Sequence, residues 1–434
     1  MSGKWGYTLS TSGTNITSPQ SVEYLSVQSR RGRAYLERSL GKTDVASLEI
    51  GSGSTIQDDI LPLNLFLMPT RLDAELTYYN MTLQKGNFRV QSYLNRTDFT
   101  LSGRQGFPFY GDLDNRLWHN SVEFTAPLGA RQTLVAGAVY SDDSWRVNFT
   151  QYEKQNVELY SFYLQDAINL TSQLALTLGG RVDYKPLTST ETPLRAALVY
   201  APSPAHSFRV TAAQGFRAPT LVEYFVIAPL PPMTVYGQTD LRPEKGQSLE
   251  LGYRGLWAND RLFVGLDFYR ERMEDFINFQ QTDPATIVFA NGGKSTNTGG
   301  ELELRLLLSS TSRLQFSCAY QEIEDEGAIV DFADSAPNSK ASLAFLHTPL
   351  QGWFFNSWLC YSDQTTWNLA TPGQFPSLAT SPSYISANVY AGYTFSPKIR
   401  LGVSILNVFN EASAQFPYGE RLKRAVSAGL EASL

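Results

Sequence analysis

The most constraining feature of this 434-residue chain is an alternation of apolar and polar side chains that recurs along its length. The clearest stretch alternates charged residues with leucines, in the order Glu301, Leu302, Glu303, Leu304, Arg305 and Leu306. A period of two places the two sets of side chains on opposite faces of a β-strand. Repeated segments of about ten such residues are typical of an outer-membrane β-barrel.

The links between these segments are alternately short and long. The predicted short links are 41–44, 84–87, 128–131, 171–173, 202–206, 258–261, 309–312, 347–352 and 396–398. The predicted long links are 16–32, 54–71, 102–115, 148–156, 185–193, 217–247, 280–295, 322–340, 365–381 and 411–421. Outer-membrane barrels keep short turns on the periplasmic side and long loops outside, whereas a soluble β-sandwich or propeller has no reason for this asymmetry.

We therefore predict an all-β fold, a transmembrane antiparallel up-and-down β-barrel of about 20–22 strands. It would form one outer-membrane domain over residues 1–434, with both chain ends in the periplasm. No apolar run reaches the roughly 18 residues of a transmembrane helix. Charged residues make up only 18% of the chain, which is low for a soluble protein, and the net charge of −6 argues against a nucleic-acid partner.

Aromatic residues collect beside the predicted short links. Tyr200 and Phe208 flank one link, Trp257 and Phe263 flank another, and Phe395 precedes a third. Amphipathic rings at this level suit an interfacial girdle at the membrane surface. Ordinary cross-strand packing of aromatic side chains is the alternative interpretation.

One set of charged residues shares the polar side of the alternation and is predicted to line the lumen. Its members are Arg181, Asp183, Glu250, Arg254, Glu301, Glu303 and Arg305. A charge that faces lipid at the bilayer midplane costs about 2–4 kcal/mol. Because about 20 strands enclose a channel too wide for side chains to fill, the leucines would face lipid and the charges water.

The residues that commonly carry metal or catalytic chemistry are sparse. Cys318 and Cys360 fall on opposite sides of the alternation, so no disulfide is expected. His119, His206 and His347 are far apart in sequence and lack metal-ligand spacing. No catalytic or phosphate-binding motif is present. We expect no enzyme activity, no metal and no cofactor; a hydrolase at the lumen mouth is the formal alternative and would need a Ser/His pair.

The long links hold the candidate ligand contacts. Aromatic residues predicted to bind a solute there are Phe107, Phe109, Tyr110, Tyr224, Phe225, Tyr236, Trp367 and Phe375. The alternative is that these rings pack loop on loop and cover the barrel. The acidic run Glu322–Glu326, with Asp331 and Asp334, offers clustered carboxylates for Ca²⁺, or forms a solvated loop that cations bridge to lipopolysaccharide.

Five short segments resemble the barrel of TonB-dependent outer-membrane receptors, and they occur in the order of that family. They are Gly215–Thr220, Leu241–Gly246, Asn297–Glu303, Asn407–Asn410 and Gly419–Arg421. The resemblance implies uptake of a scarce solute, such as a siderophore or other metal chelate, cobalamin or a glycan, across the outer membrane of a Gram-negative cell. It also implies that aromatic residues of the loops help to capture the solute.

Three departures from the family qualify this expectation. The family carries an N-terminal plug domain and a TonB box, but the barrel pattern here starts near Trp5. The family has 22 strands where about 20 are counted here, and it usually ends in an aromatic residue where this chain ends in Leu434. No signal peptide precedes Trp5, so Met1 is expected to be an engineered start or the start of a mature fragment.

The missing plug leaves three functions open. The first is the barrel of a receptor that reaches TonB only through a plug outside this chain. The second is a porin-like, plugless passive pore, and the third is a surface-binding protein anchored by its barrel. In each case the expected partners are outer-membrane lipid, lipopolysaccharide and an unidentified small molecule, with no nucleic acid.

Overall fold

The computed structural model describes residues 5–17, 26–41, 43–63, 66–103, 110–148, 150, 154–230, 233–327, 333–368, 378–411, 413–414 and 421–432. Nearly all of these residues lie in β-strands. In the first half of the chain the strands are β1 (Trp5–Thr17), β2 (Ser26–Ser39), β3 (Val45–Leu63), β4 (Phe66–Lys85), β5 (Phe88–Gly103), β6 (Tyr110–Leu128), β7 (Gln132–Val147), β8 (Lys154–Asn169), β9 (Leu174–Tyr184), β10 (Leu194–Ser203) and β11 (His206–Arg217).

The second half contains a short helix as well as strands. The elements are α1 (Leu221–Phe225), β12 (Ile227–Leu230), β13 (Met233–Tyr236), β14 (Glu244–Trp257), β15 (Leu262–Asp283), β16 (Thr286–Leu307), β17 (Ser312–Glu326), β18 (Ser339–His347), β19 (Gly352–Ser362), β20 (Thr365–Asn368), β21 (Leu378–Ser381), β22 (Tyr384–Ser396), β23 (Ile399–Leu406), β24 (Ser413–Ala414), β25 (Arg421–Leu422) and β26 (Ala425–Ala432).

One large antiparallel sheet forms the wall. Of its 22 strands, β12 and β13 belong to a loop, and the other twenty pair with their neighbours in chain order. The wall continues from β11 to β14, from β19 to β22 and from β23 to β26 across loop elements. Among the described residues no ladder joins β1 to β26. The predicted all-β, antiparallel, barrel-like fold of about 20–22 strands is confirmed.

All nine predicted short links lie between paired wall strands, so this part of the prediction is confirmed. In the β14–β15 turn three successive residues, Ala258, Asn259 and Asp260, have positive φ, at 53°, 54° and 63°. Left-handed backbone suits the short polar side chains of Asn and Asp in such turns. The nine turns lie at one end of the wall, which we call the short-turn rim, and the longer links lie at the long-loop rim.

Two of the predicted long links were wrong, because they are strands. Strands β3 and β4 pair without interruption as far as Leu63 and Phe66, and β15 and β16 continue as a hairpin to Asp283 and Thr286. In the second case the extension is apolar on both faces, and Ile287 is fully buried against the neighbouring loop. Burial on both sides removes the period-two pattern that identified the rest of the wall.

Cross-strand register gives the wall one polar and one apolar face. Asp267 lies opposite Glu301, and Gly265 lies opposite both Arg254 and Glu303. The alternate positions, such as Leu251 and Phe268, are exposed apolar side chains that also lie opposite one another. We call the polar side the inner face and the apolar side the outer face. Cys360 is on the inner face and Cys318 on the outer face, and both thiols are free.

Aromatic side chains form a row on the outer face beside the short-turn rim. Tyr200 stacks on Phe208 and Phe208 contacts Tyr253, with ring centroids 6.4 Å and 5.0 Å apart. Further round the wall, the ring centroids of Trp353 and Tyr393 are 5.3 Å apart in an edge-to-face contact. This placement is the one expected of an interfacial girdle.

A tight contact between two inner-face glycines gives a test of this register. Gly392 of β22 lies opposite Gly402 of β23, and a Cβ at position 392 would overlap the carbonyl oxygen of Leu401. The ring of Phe354, which is 2% exposed, closes the same space. A side chain at position 392 therefore forces backbone to move rather than a flexible side chain.

We expect Gly392→Ala to lower the free energy of unfolding by about 1–3 kcal/mol. The measurement is the urea concentration at which the folded, heat-modifiable band is lost on unheated gels. Gly429→Ala is the matched control, because a Cβ at that position in β26 meets nothing within 4 Å. Equal midpoints for the two variants would contradict the β22–β23 register.

Candidate functional site

The long-loop rim carries an ordered insertion between β11 and β14, residues 218–243. It starts with a capping box: the Thr220 hydroxyl accepts from the Glu223 N–H at 3.2 Å, and the Glu223 carboxylate accepts from the Thr220 N–H at 2.7 Å. The Thr-x-x-Glu sequence is the usual origin of this motif, and it starts the five-residue helix α1.

Arg217, the last residue of β11, ties this insertion to the wall. Its guanidinium donates to Glu244 of β14 at 2.6 and 2.7 Å and to Glu223 of α1 at 3.0 Å. The Glu244 carboxylate also accepts from the Ile277 N–H at 2.9 Å. One guanidinium therefore fixes the wall, the helix and, through Glu244, the β15 extension.

These hydrogen bonds set the protonation states at the rim. Burial alone would raise the pKa of Glu244, but the hydrogen bonds from Arg217 and Ile277 outweigh burial and hold that pKa below its ordinary value. Hydrogen bonding to Glu244 and to Glu223 raises the pKa of Arg217. Arg217 and Glu244 are therefore both ionised at neutral pH.

The insertion folds inward over the wall. Its residues Leu221, Tyr224 and Phe225 pack with Leu241 and Ile277 in one buried apolar cluster. This cluster contacts Trp145 of β7 and Val157 of β8, which are inner-face residues. A second cluster joins β12 and β13 to β16 through Val226, Ala228, Met233, Val235 and Ile287. The described residues of 221–241, which we call the mouth segment, therefore cover the inner face at the rim ends of β7 and β8.

The eight aromatic residues predicted to bind a solute occupy different environments. Tyr224 and Phe225 are 3% and 7% exposed and contact each other, as expected if loop rings pack on one another. Tyr110 and Tyr236 are exposed, at 59% and 39%, and the indole N–H of Trp367 donates to the Thr365 hydroxyl at 3.2 Å. The remaining three, Phe107, Phe109 and Phe375, lie outside the described residues.

The seven charged residues predicted to line the lumen all lie on the inner face. Arg181 pairs with Asp183 at 2.6 Å, and Ser161 donates to the same carboxylate. Arg305 pairs with Glu303 at 2.8 Å. Arg181 and Arg305 are thus each paired with an acid two residues away on the same face of the same strand.

A larger inner-face network includes two residues that the sequence reasoning did not select. Asp267 accepts from Arg254 at 2.6 Å and from Arg209 at 3.5 Å, and Arg209 also reaches Glu250 at 3.2 Å. The same alternation assigns Arg209 and Asp267 to the polar face, so the period-two pattern was the signal that identifies them.

A recess of about 840 Å³ lies beside this network on the inner face. Its lining includes Arg254, Asp267, Glu301, Lys340 and Cys360. The volume is within the range of roughly 300–1,000 Å³ that small-molecule sites occupy. The recess is open to the lumen and offers charges of both signs.

Lys185 is a further rim residue that the sequence did not single out. It follows β9 directly, and burial lowers the pKa of its ammonium despite the opposing field of Asp143 and Asp183. Lys185 is half-buried at the long-loop rim.

Metal-ligating residues do not converge anywhere in the described part of the chain, where no group of three His, Cys, Asp or Glu side chains could hold an ion. In β17 the acidic run alternates: Glu322, Glu324 and Glu326 lie opposite Thr298, Thr296 and Lys294 on the outer face. Asp331 lies outside the described residues.

The only helix in the described residues is the five-residue α1, so no described helix has the length and apolar character needed to span a membrane.

Comparison with known proteins gives the family. A sequence profile described as TonB dependent receptor-like, beta-barrel matches residues 3–408. A search of curated protein sequences found no match. The siderophore receptor PirA from Acinetobacter baumannii superposes with a TM-score of 0.75 at 14% identity, covering 94% of this chain and 71% of that chain.

Two other solved structures are similar. A mutant of the ferric enterobactin receptor PfeA from Pseudomonas aeruginosa, in complex with enterobactin, gives a TM-score of 0.75 at 15% identity over 99% of this chain and 76% of that chain. FpvAI in its complex with pyocin S2 gives a TM-score of 0.74 at 14% identity, covering 99% of this chain and 68% of that chain. At these identities the likeness shows a common fold. With the profile match over most of its length, the chain belongs to the TonB-dependent receptor β-barrel family, whose barrels lie in the outer membrane.

Proposed function

We propose that this chain is the barrel of a receptor that takes up a metal chelate of the siderophore class. The observation that carries the proposal is the ion-paired inner face with its 840 Å³ recess, together with a mouth segment that folds inward at the long-loop rim. Two of the similar structures are receptors for siderophores or ferric enterobactin, and they suggest the substrate class.

The charge arrangement of the inner face suits transient binding. A ferric chelate with carboxylate or catecholate groups is anionic, and Arg209 and Arg254 offer guanidinium donors to it. Asp267 lies between them and pairs with both. The acid limits how tightly an anion is held, and a transport site must release its solute as well as capture it.

Exposed aromatic side chains of the long loops make the first contact in this proposal. Tyr236 is accessible, and Phe107, Phe109, Trp367 and Phe375 are further candidates from the sequence. Tyr110 is also exposed, but it is the first residue of β6 and lies on the outer face. Aromatic rings supply apolar contact area at a small cost in conformational entropy. Tyr224 and Phe225 would act indirectly, by holding the mouth segment in place.

Energised uptake in this proposal needs a plug that fills the lumen and contacts TonB. Residues 1–434 form the barrel domain, with both ends in the periplasm and the long loops outside. The alternative function is a passive pore, which the mixed charges of the inner face also suit. Steady single-channel conductance without binding of any ferric chelate would favour the pore.

The substrate class is tested by titrating the purified, folded chain with ferric enterobactin and with ferric citrate while intrinsic fluorescence is recorded. We expect saturable quenching, and Tyr236→Ala should weaken binding by about 5–30-fold, since a buried aromatic contact contributes roughly 1–2 kcal/mol. Tyr79→Ala is the matched control, because Tyr79 is similarly exposed but lies on the outer face. Equal effects of the two variants would remove Tyr236 from the site.

The rim cluster predicts a pH dependence for the mouth segment. Because the pKa of Glu244 is lower in the folded protein than its ordinary value of 4.5, its contribution to stability is present above 4.5 and is lost as the pH falls through the folded pKa. Amide hydrogen exchange at 224–226, corrected for intrinsic rates, should show this loss of protection.

Glu244→Gln should reduce that protection at pH 7 by about 1–3 kcal/mol, because Arg217 loses one of its two acids and Ile277 N–H keeps only a neutral acceptor. The variant should also lose the pH dependence. Glu303→Gln is the control, because the Glu303–Arg305 pair is exposed and such pairs contribute about 0–1 kcal/mol. A wild-type pH profile in Glu244→Gln would show that another group governs the rim.

A further inference from the structure

The outer face of β5–β8 carries basic residues in an unfavourable arrangement. Arg96 lies directly opposite Arg116, and Arg146 lies directly opposite Lys154. Like charges opposite one another on neighbouring strands destabilise a sheet. The two pairs are adjacent, because Arg116 is also opposite Ser144, two residues before Arg146.

Most of this positive charge has no acidic partner. Arg96 pairs with Asp98 at 3.2 Å and with Asp114 at 3.5 Å. For Arg116, Arg146 and Lys154, which are all exposed, no ion pair exists within 4.0 Å among the described residues. Among the described residues, the two acids Asp98 and Asp114 therefore both pair with Arg96.

These cations surround a small recess of about 250 Å³. Arg96, Arg116, Arg146 and Lys154 line it together with Ser144 and Trp145, and Asp114 is the one acid among the described lining residues. The described lining thus has an excess of positive charge, and its guanidinium and ammonium groups are donors that suit a phosphate group.

The recess lies just above the apolar band of the outer face. On β6 the outward positions from Leu128 to Trp118 carry no charge, and these two residues are ten positions apart. Ten residues of strand extend about 33 Å, or about 25 Å along the membrane normal at a tilt of ~40°, which is the height of the apolar band of an outer-membrane barrel. Arg116 is the next outward residue beyond Trp118.

An aromatic row marks the same boundary. Trp118 contacts Tyr140 edge to face, with ring centroids 6.1 Å apart, and Tyr140 contacts Tyr160 at 5.2 Å. Both tyrosine hydroxyls donate to Glu158, at 3.3 and 3.0 Å. Two acids, Glu158 and the opposite Asp142, lie between the rings and the cations on β7 and β8. On β5 and β6 no acid intervenes, because Arg96 and Arg116 are the next outward residues after Leu94 and Trp118, so a lipid in the apolar band can reach the cations along these two strands.

We propose that Arg116, Arg146 and Lys154, with Arg96, bind the phosphate group of a phosphorylated lipid headgroup in the outer leaflet. A phosphate placed between the two like-charged pairs removes their repulsion and accepts bidentate hydrogen bonds from the arginines. The position beside the aromatic row selects a membrane lipid rather than a soluble anion. This inference needs only the outer-membrane location and is independent of the solute proposed above.

The test uses the full chain folded in zwitterionic detergent, with diphosphoryl lipid A added to the micelles. Apparent affinity is read from the rise in the temperature at which the folded, heat-modifiable gel band is lost. The triple variant Arg116→Ala/Arg146→Ala/Lys154→Ala should bind at least tenfold more weakly than wild type. Lipid A with its phosphates removed should stabilise neither protein.

The matched control removes three exposed cations from the short-turn rim, as Lys85→Ala/Arg131→Ala/Lys398→Ala. It makes the same change in net charge and should keep wild-type affinity. Equal loss of affinity in both triple variants would mean that net charge alone attracts the lipid. Unchanged affinity in the Arg116→Ala/Arg146→Ala/Lys154→Ala variant would also show that these residues do not form the binding site. If inorganic phosphate alone gives the same stabilisation, the site binds free phosphate and the lipid assignment is wrong.

Should the triple variant lose the folded band in detergent alone, Arg146→Ala replaces it, with Arg116→Lys as a second variant. Lysine keeps the charge but loses the bidentate guanidinium. We expect diphosphoryl lipid A to bind wild type most tightly, Arg116→Lys more weakly and Arg146→Ala most weakly. Wild-type affinity in both variants would overturn the proposal.

Discussion

The structure depends on one constraint: backbone N–H and C=O groups that cross lipid must be paired within the protein. The ladders of the wall meet it by pairing each wall strand with its neighbour in chain order, apart from the seam between β1 and β26, where the described residues show no ladder. Pairing of this kind fixes side-chain direction, so a single period of two decides which residues meet water and which meet lipid. The inner-face ion pairs and the outer-face aromatic rows both follow from that one choice of register.

Local rules were enough to predict much of this fold from sequence. The nine short turns were identified because a tight link leaves few conformations and uses Gly, Asn, Asp and Pro at set positions. Charges such as Asp183 and Glu301 could be assigned to the polar face because a strand reverses side-chain direction at every residue. Neither inference required knowledge of which strands are neighbours in space. The β15–β16 extension escaped prediction because the consecutive residues Phe276, Ile277 and Asn278 are all buried, so the two faces of the strand no longer differ there.

The candidate site depends on contacts that are distant in sequence, and these were not accessible from the sequence. Trp145 and Tyr224 are far apart along the chain, yet they meet under the mouth segment. Arg217 was recognised only as part of a motif, and its bidentate contact with Glu244 appears when β11 and β14 are paired. The same holds for Arg116 and Lys154, because a patch assembled from four strands is visible only once their register is known.

The two faces of the wall treat charge in opposite ways. On the inner face Arg209 and Arg254 both pair with Asp267, so this positive charge is held by an acid of the chain, although Asp267 itself also lies opposite Glu301. On the outer face Arg116 and Arg146 stand next to charges of their own sign. The inner-face arginines Arg209 and Arg254 are thus balanced by acids of the chain. On the outer face Asp98 and Asp114 balance Arg96, and among the described residues Arg116, Arg146 and Lys154 have no ion pair. Since both faces are fixed by the same ladders, the repulsion between these like charges is what an external anion would relieve in the proposal above.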